Sequence, residues 1–66
     1  MKININDKIL EVKNDITVTG LIAFFKLNVK STAVAVNKEI VPRSSYAEFT
    51  LKERDKVDLV TIAPGG

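Results

Sequence analysis

The 66 residues contain no cysteine, no histidine and no tryptophan, and only three glycines and two prolines. Without thiols there is neither a disulfide framework nor a thiolate metal site, a composition that suits the cytoplasm, where the chain is expected to reside. Without imidazole, the commonest metal ligand and the commonest general base at neutral pH are both missing. Serine and threonine hydroxyls remain, but no base stands ready to activate them. Glu53 and Asp55 flank a turn and read as solvated carboxylates. With glycine confined to Gly20, Gly65 and Gly66, no loop can cradle a phosphate through clustered backbone N–H groups. The chain is therefore not expected to be an enzyme, nor to bind a metal or cofactor of its own.

Long apolar runs are also lacking. None approaches the roughly 20 residues that span a bilayer, and the opening residues alternate rather than form a signal-peptide core. No membrane role is expected. The ten basic and eight acidic residues leave a net charge of +2. They are interspersed, with no basic run and no basic–aromatic alternation, so nucleic acid is not an expected partner. Apolar content of 45% and charged content of 27% describe one ordinary globular domain. At this size, burial barely balances chain entropy, so nearly every large apolar residue is needed in the core.

Lys2 to Asn6 alternates polar and apolar, the pattern of a strand with one buried face. Asn6-Asp7 is turn chemistry, and Lys8 to Lys13 reads as the returning strand of a hairpin, with Leu10 and Val12 inward. The period then changes. Val18, Leu21, Ile22 and Phe25 form one helical stripe, with Thr17 as N-cap and Asn28 near the C-terminal end. Gly20 in the first turn weakens that helix by roughly 1 kcal/mol relative to alanine. Thr32 to Asn37 alternates again, with Val34 and Val36 on one face and Ala33 and Ala35 on the other. Asn37-Lys38 forms a turn into a stub, Glu39 to Val41, that Pro42 ends. Ser44 to Phe49 reads as a loop with one helical turn, anchored by Tyr46, Phe49 and Leu51. The last strand runs from Lys56 to Ile62.

Hairpin, helix, then strands imply an α+β domain with one helix across one face of a mixed sheet. The domain covers residues 1–62 and a short tail covers 63–66. If Val57 and Leu59 face the helix, then Asp58, Val60 and Ile62 point away from it, beside Ala33 and Ala35. No second helix is left to cover that face, which makes it a candidate docking surface.

The sequence ends on Gly65 and Gly66 after Ala63 and Pro64. Glycine has no Cβ, so such a tail is slim enough to thread a narrow channel. Its carboxylate becomes an acyl donor once adenylated by ATP. The activated carbonyl could then accept sulfide, giving a thiocarboxylate, or be attacked by a thiol or amine.

Several stretches resemble the ThiS family of sulfur carriers in thiamine biosynthesis, part of the ubiquitin-like β-grasp superfamily. They are Ile3-Asn4-Ile5-Asn6, Val34-Ala35-Val36-Asn37, Ile40-Val41-Pro42-Arg43, Asp55-Lys56-Val57 and the closing Gly65-Gly66. The resemblance implies a β-grasp fold and a cycle served by partners. An E1-like adenylyltransferase would use ATP to activate Gly66, and a cysteine-desulfurase persulfide would supply sulfur. The thiocarboxylate would then donate it to thiazole synthase. Ala63, Pro64 and Gly65 would thread the partner's active site. Asp58, Val60, Ile62, Ala33 and Ala35, with Arg43 beside them, would form the partner interface of a chain that is monomeric when free. Pro64 departs from the small flexible residue common before the diglycine and implies a stiffer tail. A molybdopterin sulfur carrier, a ubiquitin-like modifier and a plain β-grasp interaction module are the alternatives at this point.

Overall fold

The computed structural model describes residues 1–61; Ile62 and the tail 63–66 lie outside the described residues. Five strands and one α-helix follow in the order β1 (Lys2–Ile5), β2 (Lys8–Glu11), α1 (Val18–Phe24), β3 (Thr32–Val36), β4 (Glu39–Ile40) and β5 (Lys56–Thr61). They form one mixed sheet ordered β2-β1-β5-β3-β4. The chain's last strand lies at its centre, parallel to β1 and antiparallel to β3. One helix crosses one face, as the change of period predicts. The expected last strand to Ile62 is observed as far as Thr61.

Both hairpins close on two-residue turns. Asn6 and Asp7 have φ of 48° and 68°, and Asn37 and Lys38 have 52° and 70°. Positive φ at both central positions is the type I′ geometry whose twist matches that of paired strands. Asparagine tolerates it better than most residues. The two asparagines also hold β5. Asn6 Oδ1 accepts from Leu59 N at 3.0 Å, and its Nδ2 donates to Leu59 O at 3.2 Å. Asn37 Oδ1 accepts from Lys56 N at 3.0 Å, and its backbone N–H donates to Lys56 O at 2.7 Å. Each hairpin thus lends its turn to the central strand.

The core lies between helix and sheet: Ile3, Ile5, Val34, Val36 and Val57 from the strands meet Val18, Leu21 and Ile22 from α1. Thr17 caps the helix as expected, its Oγ1 accepting from Gly20 N at 3.0 Å. A Cβ on Gly20 would lie 3.1 Å from Ile16 Cγ1 and 3.3 Å from the capping Thr17 Oγ1. Close packing under the first turn explains a glycine that helix propensity disfavours. The segment after β4 is strapped to the helix start by Val18 N to Phe49 O (3.0 Å) and Leu51 N to Ile16 O (2.8 Å). Buried Tyr46 donates its hydroxyl proton to Thr32 O at 3.0 Å, the anchoring role expected for it.

The helix ends earlier than its apolar stripe predicts. Lys26 takes φ of 58°, its N–H donates to Ala23 O at 2.9 Å, and Leu27 N–H donates to Ile22 O at 3.1 Å. Those two bonds make a Schellman motif with lysine where glycine is usual. Phe25 consequently leaves the core stripe and is 38% exposed. Asn28, expected near this helix end, instead caps the short 3₁₀ turn Val29–Ser31, accepting from Lys30 N at 2.8 Å.

Lys26→Gly is expected to raise unfolding stability by roughly 0.5–1 kcal/mol in urea titration, because glycine relieves the left-handed strain. Asn6→Gly keeps the turn but loses both bonds to Leu59, at an expected cost of about 1–2 kcal/mol. Asn6→Ala should cost more, since it adds the backbone penalty. Equal losses would show that the side-chain bonds alone matter.

Candidate functional site

The pleat that buries Val57 beneath the helix turns Asp58 and Val60 to the uncovered face of the sheet, as the parity of β5 predicts. Register places Ala35 beside Asp58 and Ala33 beside Val60. The structure thus brings Ala33, Ala35, Asp58 and Val60 together on one face. Val60 is 57% exposed and the two alanines are half-buried. Ile62, assigned to the same face, and Ala63, Pro64, Gly65 and Gly66, assigned to the reactive tail, fall outside the described residues. Arg43 is exposed in the 3₁₀ turn Arg43–Ser45, beyond the edge strand β4.

Sequence reasoning missed one member of this surface. Ile40 pairs with Ala35 and is 76% exposed, so it extends the apolar strip to the β4 edge. The signal was present in the two-residue turn. With Val36 opposite Glu39, Ile40 has to fall opposite Ala35 and share its outward face. Across the sheet, Ile9 pairs with Asn4 on the same face and is 73% exposed. Between them the surface is charged: Lys2 and Lys56 lie on the β1 and β5 portions, with Arg54 at the adjoining turn. The face therefore has an apolar end around Val60 and Ile40 with the carboxylate of Asp58 beside it, and a flank toward β1 of mixed charge, where Glu11 and Glu53 accompany Lys2, Arg54 and Lys56.

This arrangement leaves one face of the sheet open to solvent, with exposed apolar side chains upon it. Among the described residues, no three His, Cys, Asp or Glu side chains gather as a metal site demands. No helix among them is long and apolar enough to cross a membrane. The open face leads along β5 to Thr61, directly before the segment that carries the sequence-predicted reacting carboxylate.

Known proteins match the chain throughout. The ThiS family profile covers residues 2–66. A Bacillus subtilis protein named sulfur carrier protein ThiS is 34% identical over 65 residues, which cover 97% of this chain and 98% of that protein. A Paramagnetospirillum magneticum protein named thiazole synthase is 35% identical over the full chain, which spans only 20% of its length. The crystal structure of a thiamine biosynthesis protein (ThiS) from Geobacter metallireducens superposes with a TM-score of 0.85 at 26% identity, covering all of both chains. The likeness spans the whole of the fold described here, a β-grasp arrangement in which a mixed five-stranded sheet holds one helix. With the profile running from the second residue to the last and a full-length relative sharing a third of its residues, the chain belongs to the ThiS family.

Proposed function

We propose that this protein is a sulfur carrier of thiamine biosynthesis, a co-substrate on which partner enzymes act. The end-to-end match to sulfur carriers, with Gly65 and Gly66 inside the matched span, carries this reading. The Gly66 carboxylate attacks the α-phosphorus of ATP on an E1-like adenylyltransferase, and pyrophosphate leaves. A persulfide from a cysteine desulfurase then attacks the acyl carbon and displaces AMP. A second thiol cleaves the resulting acyl disulfide, leaving a thiocarboxylate on Gly66 and a disulfide on the donor side. Because the chain has no cysteine, it can carry sulfur at its terminus but not as a persulfide of its own.

The thiocarboxylate donates its sulfur to thiazole synthase. The match to part of a protein named thiazole synthase supports that partner. The uncovered face with Val60, Ile40, Ala33 and Ala35 docks the enzymes, and Asp58 among these apolar groups favours a partner that presents a cation there. Ala63, Pro64 and Gly65 lead the terminus into the partner's active site. Pro64 narrows the conformations that the approach can take.

The carrier function has a direct test by intact mass. Incubation with ATP, an adenylating partner and a persulfide donor is expected to yield a species about 16 Da heavier, localised to the C-terminal peptide. Oxidation of Met1 adds a similar mass, so the localisation matters. Lysine-linked conjugates in place of that species would refute the carrier reading in favour of a protein modifier. For the docking face, Val60→Asp and Ile40→Asp are each expected to weaken adenylyltransferase binding about tenfold or more in calorimetry. Their urea midpoints should stay within error of the parent, since both side chains are largely exposed.

A further inference from the structure

The sheet has two edges, and they are protected unequally. Strand β4 is two residues long and Pro42 follows shortly after it, so little pairing surface is offered there. Strand β2 has four residues, no proline and no covering element among the described residues. Its hydrogen-bond phase follows from Val12 and Met1, which exchange bonds of 2.8 Å and 2.7 Å. In an antiparallel ladder such pairs alternate, so Leu10 with Ile3 and Lys8 with Ile5 are the inward-bonded pairs. The N–H and C=O groups of Ile9 and Glu11 therefore point outward, unpaired within the sheet.

Apolar surface flanks this bare edge on both sides. Ile9 is exposed on the open face, and Leu10 is half-buried on the helix face. Phe24 and Phe25, 55% and 38% exposed, pack edge to face with centroids 5.3 Å apart. They border shallow depressions against the helix side of β2. Phe25 shares one with Leu10 and Lys8, and Phe24 shares the other with Val12 and Lys13. The core leaves both rings partly in water. A partner strand laid along β2 would cover the edge and the rings together.

We propose that the occupant is a second copy of this chain, paired antiparallel through β2 about a two-fold axis centred on Leu10. A two-fold strand pair must set residues of the same face opposite each other, which limits the registers. Centring on Leu10 puts Ile9 opposite Glu11 of the partner copy, so all the outward backbone groups of these two residues are satisfied. The same register places Asp7 beside Lys13 of the partner copy, twice by symmetry, so unlike charges meet at both ends of the seam. A centre at Ile9 would instead set Asp7 against Glu11, and a centre at Glu11 would oppose two carboxylates. The aromatic pairs of both copies then cover the seam on the helix side. The Val60 faces of both copies lie together on the other side of a ten-stranded sheet, open to docking. The monomer expected from the sequence becomes the dilute form of a weak dimer.

Sedimentation equilibrium of the full chain from micromolar to millimolar concentration is expected to show monomer passing to dimer. Retention of monomer mass throughout overturns the proposal. Lys13→Asp should weaken the dimer about tenfold, and so should Asp7→Lys, which recreates the Asn-Lys turn that the protein already uses at Asn37-Lys38. The double swap should restore it. Failure of the double swap to recover the dimer overturns the register. In a chain free of other thiols, Leu10→Cys should form a disulfide-linked dimer on mild oxidation, because facing non-bonded residues sit about 4.5 Å apart at Cα. Ile9→Cys should not. The reverse pattern would likewise refute a centre at Leu10. Because Leu10 packs partly against the core, each cysteine variant is first checked for an unchanged unfolding midpoint.

Discussion

The insertion of β5 between β1 and β3 is the constraint on which the rest of the structure depends. Until this last strand arrives, the first hairpin and the β3–β4 hairpin have no common ladder. Its arrival joins them, buries Val57 beneath the helix and closes the core. The join is reinforced from both sides by turn side chains. Asn6 holds Leu59 and Asn37 holds Lys56, so the residues that shape the hairpins also position the strand between them. Such pairing at long sequence separation is slow to form, because chain closure must precede the contacts that reward it.

A scarcity of glycine shapes the turns. With two of three glycines at the end of the sequence, left-handed backbone elsewhere falls to other residues: Asn6, Asp7, Asp15, Lys26, Asn37, Lys38 and Arg54. Asparagine and aspartate bear this at modest cost, while Lys26 and Arg54 are held there by backbone bonds and Lys38 by the closed hairpin between Val36 and Glu39. Arg54 N–H, for example, donates to Lys2 O at 2.7 Å, tying the turn before β5 to the start of β1. A small core thus supports a series of mildly strained turns, and the sheet register depends on them.

Local alternation made most of the fold legible in the sequence. The hairpin at Asn6-Asp7, the cap at Thr17, the faces of β3 and the parity of β5 all follow from short-range pattern. What escaped depends on partners distant in sequence or on a backbone angle without a compositional mark. Nothing in a lysine announces a left-handed helix end, so Phe25 reads as core when it lies at the surface. Ile40 sits in a strand of two residues, too short for any period, and its face is settled only by the turn before it. The open face was accordingly legible from Val60 and the alanines, and Ile40 extends it by one strand. The parallel pairing of β1 with β5 joins residues about fifty positions apart and has no local signature.

That parallel pairing also has a mechanical meaning. The first and last strands of the described chain lie side by side and point the same way, so tension between the two ends acts along their shared ladder. The bonds of Asn4, Asn6 and Arg54 that stitch β1 to the β5 region are then loaded together, in shear, rather than opened one after another. A load on the far end of β5 therefore meets this joint resistance at once, and the two strands hold or yield as one unit.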